Sequence, residues 1–247
     1  MTDVIRIANC SGFYGDRLDA AREMVEGGPI DVLTGDYLAE LTMSILYNQK
    51  QSRGEDTGYV GTFLKQVKDV ASLCAEKNIK IVSNAGGLNP KSMAAEVEKI
   101  LAELGLDLKV AYIDGDDLLG DLSQLQDDGE AFTNLDTQQA LSDTDQTALT
   151  ANAYLGGWGI KEALDQGADI VICPRVTDAA VVIGPAAWKF NWQRNDYDAL
   201  AEHWRPAILL SVGHSAVAAT TPFSRRCPVS ATWVIPLLKL KPTAILP

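Results

Sequence analysis

Histidine is nearly absent from this sequence of 247 residues. The two histidines, His203 and His214, both lie near the C-terminus. The preceding 202 residues therefore cannot form a Ser-His-Asp triad, a histidine zinc site or an imidazole base. Any chemistry in that region has to use carboxylates, Arg, Tyr, Cys, Ser or backbone groups.

Positive charge, paired cysteines and long apolar runs are scarce as well. The net charge of −12 argues against a nucleic-acid partner and against an anionic membrane surface, because both require clustered Lys and Arg. The four cysteines form no CxxC pair, so the sequence predicts neither a zinc site nor a disulfide framework. No run approaches the ~18 apolar residues of a membrane helix, and the N-terminus does not read as a signal peptide. We therefore expect a cytoplasmic protein with no nucleic-acid partner and no membrane partner.

Short β-type runs alternate with segments of helical periodicity along the chain. The predicted strands are residues 3–10, 30–35, 79–87, 108–117 and 169–178. The predicted helices are residues 17–27, 38–49, 59–78, 91–105, 153–168 and 179–184, and residues 119–148 form an acidic, partly helical excursion. This alternation predicts a three-layer α/β fold, with a mostly parallel sheet and helices on both faces. A β/α barrel is the alternative.

Each predicted strand ends in small or polar residues. Because the carboxyl ends of parallel strands share one edge, where ligands of such folds bind, we expect these residues to form one site. The candidate substrate-binding residues are Asn9, Ser11, Gly12, Tyr14, Asn84, Gly86, Gly87, Asn89, Asn152, Tyr154, Arg175 and Thr177. The candidate catalytic carboxylates are Asp36, Asp114, Asp116 and Asp178.

Two motifs suggest particular chemistry. The string DGDD places three carboxylates in four residues, which favours acid–base work or a Mg²⁺ site at Asp116 and Asp117. An acidic turn that caps the next helix is the alternative interpretation. Arg175, in RVTD, is suited to a carboxylate or phosphate through paired hydrogen bonds, and an ion pair with Asp178 is its alternative.

Two glycine-containing turns, NCSGFYGDR and NAGGLNP, precede predicted helices. Glycine lets the backbone approach a ligand, and a helix N-terminus favours an anion, although neither string is a GxGxxG or Walker A motif. Cys10 and Cys173 also stand at strand ends. We predict that both are buried structural thiols, because no histidine is near to activate them, and that Trp158 belongs to the core.

The sequence resembles the acyclic terpene utilization protein AtuA family. The strings that carry the resemblance are IANCSGFYGDR, AAREMVEGGPIDVLTGDYLAELTM, VSNAGGLNP, DGDDL, NAYLGGWGI and GADIVICPRVTDAA. The resemblance runs in order from Ile7 to about Leu200. It implies a cytoplasmic α/β protein linked to terpene, branched-acid and acyl-CoA metabolism, in a family whose members are usually much longer than this chain. The positions that match are the strand-end residues already named.

Two functions are compatible with these features. The first is a lyase- or hydratase-type enzyme, in which Arg175 and helix N-termini hold a small carboxylate or an acyl-CoA while a carboxylate moves a proton. The sequence does not specify a cofactor, and Mg²⁺ is the candidate. The second is a non-catalytic subunit or scaffold of an acyl-CoA pathway complex. A homo-oligomer or a complex with a pathway enzyme is expected in either case.

The composition changes abruptly at His203. The 45 residues from there to Pro247 contain five Lys and Arg but no Asp or Glu, whereas all 33 acids precede them. The tail can be back-translated with suitable codons and read again in the frame that starts one nucleotide earlier. The resulting amino-acid sequence resembles the family's sequence at this point of the chain. We therefore expect residues 1–202 to form an incomplete α/β domain and residues 203–247 to be a frame-shifted, poorly packed tail. Such a chain should be inactive, with an unpaired sheet edge and no role for His203 or His214.

Overall fold

The computed structural model describes residues 4–202 and 237–240. Five strands run parallel, and a sixth pairs antiparallel with the first. The strands are β1 (Ile5–Asn9), β2 (Val32–Gly35), β3 (Lys80–Ser83), β4 (Val110–Tyr112), β5 (Ile170–Ile172) and β6 (Leu237–Leu240). Their order across the open sheet is β4-β5-β3-β2-β1-β6. The predicted three-layer, mostly parallel α/β fold is confirmed.

Helices connect the strands and cover both faces of the sheet. They are α1 (Ala20–Glu26), α2 (Glu40–Arg53), α3 (Gly61–Lys77), α4 (Pro90–Leu104), α5 (Leu122–Asp127), α6 (Trp158–Asp165) and α7 (Ala180–Phe190). Side chains that alternate along each strand supply the two cores. Leu33 and Ile81 pack against α1 to α4, whereas Val32 and Val82 face α6 and α7.

The chain changes face between two neighbouring strands. It leaves β3 for α4 on one face and leaves β5, the strand hydrogen-bonded to β3, for α7 on the other. In open α/β sheets the crevice at such a change is the usual ligand site. The carboxyl ends of β3 and β5, with those of β2 and β4 on either side, define this switch point.

One predicted helix starts later than its sequence suggests. The helix expected over residues 153–168 begins at Trp158, because the residues before it run extended beside the end of β5. The N–H of Leu155 donates to the Arg175 carbonyl (3.2 Å), and the N–H of Thr177 donates to the Leu155 carbonyl (2.9 Å). Trp158 itself is partly buried and packs against the α6–α7 core.

The predicted acidic excursion is partly helical. It contains the 3₁₀ turns Leu119–Asp121 and Leu141–Asp143 as well as α5. No helix within residues 4–202 and 237–240 is both long and apolar enough to cross a membrane.

Most of the expected frame-shifted tail, with His203 and His214, lies outside the described residues. Its described part, β6, pairs with β1 so that Ile5 lies opposite Leu240 and Ala8 opposite Leu237. With β6 beside β1, the edge strands of the described sheet are β4 and β6. The expectation that an incomplete domain leaves an unpaired sheet edge stays a prediction.

Candidate functional site

Four polar side chains are buried where β2, β3, β4 and β5 end. Asp36, Asn84, Asp116 and Arg175 are each at most 5% exposed. Burial of a charge is costly unless the group is paired or neutralised, so these side chains must satisfy one another. They follow four different strands, and the sheet order brings them to the switch point.

Asp36 is held by the loop after β3. The side-chain amide of Asn84 donates to Asp36 Oδ1 (2.6 Å), while Asn84 Oδ1 accepts the N–H of Tyr37 (2.8 Å). Burial raises the pKa of Asp36 to about 7, and nearby Asp178 acts in the same direction. The Asn84 amide and the charge of Arg175 oppose this rise but do not cancel it.

Arg175 lies beneath an aromatic ring and between two carboxylates. Its guanidinium carbon is 4.1 Å from the centre of the Tyr154 ring, and Nη1 donates to the Leu38 carbonyl (3.1 Å). Nη2 is 3.5 Å from Glu40 Oε1, and Nη1 is 3.6 Å from Asp178 Oδ1. The predicted alternative, an Arg175–Asp178 ion pair, is therefore present, but both ion-pair distances are longer than a hydrogen bond.

The outer side of the site is open to solvent. Tyr154 is 52% exposed and donates its hydroxyl to Glu40 Oε1, which holds the pKa of Glu40 below its ordinary value. The side chains of Glu40 and Asp178 are also well exposed. A buried carboxyl and a buried guanidinium thus lie under polar and aromatic side chains that are exposed to solvent.

Asp116 forms hydrogen bonds that hold the turn after β5 in place. Its Oδ2 accepts the side-chain amide of Asn152 (2.8 Å) and the backbone N–H of Arg175 (3.1 Å). Burial raises the pKa of Asp116. Asp116 and Asn152 therefore fix the backbone from which Arg175 projects, which gives both residues a positioning role.

The other two acids of DGDD point elsewhere. Asp114 accepts the N–H of Gly115 (2.7 Å) and Asp117 accepts that of Leu119 (2.9 Å), both at the exposed surface. Across the described part of the chain, no three His, Cys, Asp or Glu side chains are grouped so that they could hold a metal ion. Asp116 accepts two N–H groups and Asp117 accepts one, and the Mg²⁺ site expected from their spacing stays a prediction.

The turn after β1 supports the neighbouring strand end. Asn9 is buried and its Oδ1 accepts the Thr34 hydroxyl (3.3 Å). The Ser11 hydroxyl donates to the Phe13 carbonyl (3.0 Å), and the Ser11 carbonyl accepts the N–H of Asp36 (2.9 Å). The candidates Asn9 and Ser11 thus lie against β2 and help to place Asp36.

The rest of this turn is bonded internally. The N–H of Gly12 donates to Asp16 Oδ2 (3.0 Å), the contact that an anion in a phosphate-type turn would make. Tyr14 is 36% exposed at the same turn. Helix α1 begins only at Ala20, so the turn does not lead directly into a helix N-terminus.

The glycines after β3 allow the protein to pack against itself. A Cβ on Gly86 would lie 2.6 Å from the Cys173 carbonyl oxygen, so the close approach is to the turn after β5. Gly87 has a φ of +55°, and a Cβ there would lie 2.9 Å from the Gly58 carbonyl oxygen. Both glycines are therefore required by close packing within the fold, and the ligand contacts expected of them stay a prediction.

Two further candidates have structural partners. Asn89 caps α4 by accepting the N–H of Ser92 (3.1 Å), and its amide donates to the Glu55 carbonyl (2.8 Å). The backbone carbonyl of exposed Thr177 accepts the N–H of Ala180 (2.8 Å) at the start of α7. The side chain of Asn89 is therefore used within the protein, whereas at Thr177 the contact involves the backbone alone.

Glu40 and the Leu38 carbonyl are not among the predicted site residues, although both contact Arg175. A signal was present, since both follow Asp36 within four residues, at the same strand end. The cysteine prediction is confirmed in that Cys10 and Cys173 are buried, and burial raises the pKa of Cys10 to about 12. Burial raises the pKa of Cys173 as well.

The sequence was also compared with known proteins. The model of the family described as acyclic terpene utilisation family protein AtuA matches residues 5–213. That region contains the five parallel strands and each residue of the switch point. No curated protein and no solved structure matches the chain.

Proposed function

We propose that this chain, which belongs to the acyclic terpene utilisation family AtuA, transfers a proton at its switch point in a lyase or hydratase reaction. The substrate class is the carboxylate or acyl-CoA ester of a branched chain derived from an acyclic terpene. The observation that carries the proposal is the buried carboxyl of Asp36, whose pKa lies near 7.

Asp36 supplies the proton-transfer group. A carboxyl with a pKa near the working pH is present in both forms, which is the condition under which a general acid or base is most effective. The Asn84 amide donates to Oδ1, and the backbone N–H of Leu38 also hydrogen-bonds to this carboxyl, so its orientation is fixed by both contacts. Asp178 is the second, exposed carboxyl, suited to act on the hydroxyl that leaves or enters.

Arg175 supplies the electrostatic partner. Removal of a proton next to a carboxylate or thioester carbonyl builds negative charge on that oxygen, and a buried guanidinium stabilises such charge. The contacts of Arg175 with Glu40 (3.5 Å) and Asp178 (3.6 Å) are long, so a substrate oxygen that approaches more closely can replace them. The exposed Tyr154 ring covers the guanidinium from the solvent side.

The test measures hydration of 3-methylbut-2-enoyl-CoA, followed by loss of the absorbance of the conjugated thioester. We expect Asp36→Asn to lower kcat by about 100-fold or more, because the amide cannot exchange the proton. The matched control is Asp107→Asn, which alters an exposed carboxylate just before β4, at the opposite end of the sheet.

Equal turnover by the Asp36→Asn protein and the unaltered chain would overturn the role of Asp36. Absence of turnover by the unaltered chain would contradict this function for the chain as it stands. Measurable turnover would overturn the expectation of inactivity that follows from the frame-shift hypothesis.

A second candidate function is favoured by the outer surface of α2. Leu41 is 73% exposed and Ile45 is 38% exposed one turn later, which is typical of a helix face that contacts another protein. In this role the chain would be a non-catalytic subunit of an acyl-CoA pathway complex. Leu41→Lys would then abolish co-purification with a pathway enzyme, while Asp36→Asn would leave pathway flux unchanged.

A further inference from the structure

A cavity lies beside α2, next to the switch point but outside the residues assigned above to proton transfer. Its volume is about 130 Å³. Three leucines line it, Leu88 from the loop after β3 and Leu119 and Leu149 from the two ends of the acidic excursion. We call it the leucine cavity.

The walls of the leucine cavity are held by defined contacts. Asp117 forms an antiparallel bridge with Asn152, and the N–H of Leu118 donates to the Ala151 carbonyl (2.7 Å), which joins the two ends of the excursion. On the α2 side the cavity is lined by Tyr47 and Lys50. The backbone at this wall is therefore fixed by the protein's own hydrogen bonds.

The charged groups at the cavity leave its leucines as the main source of binding energy. Lys50 is paired with Glu55 (2.9 Å) and so has a carboxylate partner already. Leu119 and Leu149 are 37% and 52% exposed, so their apolar surface is in contact with water. Covering such surface with an apolar group is favourable by about 25 cal/mol per Å².

The position of the cavity connects it to the proposed chemistry. Asp117 directly follows Asp116, which accepts the backbone N–H of Arg175. Thr150, on the other wall, is two residues from Asn152, which donates to the same Asp116 oxygen. The cavity is therefore built on the same two chain segments that position the backbone of Arg175.

We propose that the leucine cavity binds the branched methyl end of the substrate's acyl chain. At about 30 Å³ per water-sized group, its volume holds roughly four or five carbon atoms, the size of one isoprene unit. The assignment of the substrate rests on the proposed function, whereas the capacity to bind a small branched apolar group rests on the cavity alone.

The test uses 3-methylbutan-1-ol as the probe, because a neutral molecule needs no contact with Arg175. Protein with ¹³C-labelled leucine methyl groups is titrated and followed by NMR. We expect saturable shifts at Leu88, Leu119 and Leu149, with a Kd on the order of 1–10 mM for six non-hydrogen atoms. The methyl groups of Leu135, which is 90% exposed on the same excursion, should not shift.

Variants make the test specific. Leu149→Asn should weaken binding at least about 5-fold, whereas the control Leu135→Asn should not change it. The Asp36→Asn protein should also bind the probe normally. If that variant binds the probe and also keeps full turnover, the acid–base role of Asp36 is refuted, whereas the assignment of the cavity is not. The assignment is overturned by shifts that do not saturate, by equal shifts at Leu135, or by unchanged binding in Leu149→Asn.

Discussion

At the scale of single residues, the behaviour of Asp36 follows from its partners. Water is excluded from its carboxyl, which favours the neutral form, and Asp178 adds a repulsive charge. Asn84 cannot reverse this, since one amide hydrogen bond replaces only part of the lost hydration. Asn84 is therefore a positioning residue in the structure, because both ends of its amide are used to orient Asp36 and Tyr37.

The raised pKa of Asp36 predicts how stability depends on pH. The folded protein holds a proton on Asp36 up to about pH 7, whereas the unfolded chain releases it near its ordinary value of 3.8. Between these values the folded state binds more protons, so the free energy of unfolding falls as pH rises. At 1.36 kcal/mol per pH unit, the difference between 3.8 and about 7 gives a loss on the order of 4 kcal/mol.

Urea unfolding at pH 5 and pH 8 measures the part of this loss that falls between pH 5 and about 7, on the order of 3 kcal/mol. We expect Asp36→Asn to remove most of the fall, because an amide does not ionise, while Asp107→Asn should retain it. Asp116, whose pKa burial also raises, adds a dependence of the same sign in every protein compared. An unchanged slope in Asp36→Asn would show that Asp36 ionises normally in the folded state.

The residue types at the strand ends were predictable, but their individual roles were not. Parallel strands must bring their ends to one edge, and this alone places Asp36, Asn84 and Arg175 together. Whether an amide contacts a ligand or another side chain depends on angles that one sequence does not contain. Glu40 was missed for the same reason, since an acid at the first position of a helix is explained locally by the helix dipole.

At the scale of elements, the strands were predictable and their order was not. Each strand is a short apolar run between helices, which periodicity reveals. The insertion of β5 between β3 and β4 depends instead on which helices cover which face, a long-range packing choice. The late start of α6 had a local signal in Gly156 and Gly157, two residues that weaken a helix.

Close packing of α6 against α7 gives a prediction at this scale. A Cβ on Gly184 would lie 2.6 Å from the Cβ of Ile160, within the overlap that real side chains avoid. Alanine favours a helix over glycine by about 1 kcal/mol, yet the clash should dominate. We expect Gly184→Ala to destabilise the protein by about 1–3 kcal/mol in urea unfolding.

The matched control for Gly184→Ala is Gly156→Ala. Nothing lies within 4 Å of a Cβ on Gly156, so its replacement should change stability little. Because α7 begins directly after the turn that carries Arg175 and Asp178, the Gly184 variant should also weaken substrate binding. A Gly184→Ala protein as stable as the unaltered chain would show that α6 and α7 can move apart without cost.

At the scale of the whole molecule, the net charge of the protein is opposite in sign to the residue proposed to bind an anionic substrate. The chain carries a net charge of −12, whereas its buried site is built around the cation Arg175. Long-range repulsion therefore acts on an anionic substrate before the local attraction of Arg175 can. Salt distinguishes the long-range repulsion from the local attraction, because it screens interactions between distant exposed charges much more than interactions between buried charges.

The affinity for a CoA ester should accordingly increase with salt. The Debye length falls from about 30 Å at 10 mM to about 10 Å at 100 mM, which removes most of the long-range repulsion. We expect the Kd for 3-methylbut-2-enoyl-CoA, measured by calorimetry, to fall roughly 3-fold over this range. The uncharged N-acetylcysteamine thioester of the same acid is the control and should bind equally at both salt concentrations. An affinity that decreases with salt would mean that the ester's phosphates contact a basic surface, so that local attraction rather than net charge governs its approach.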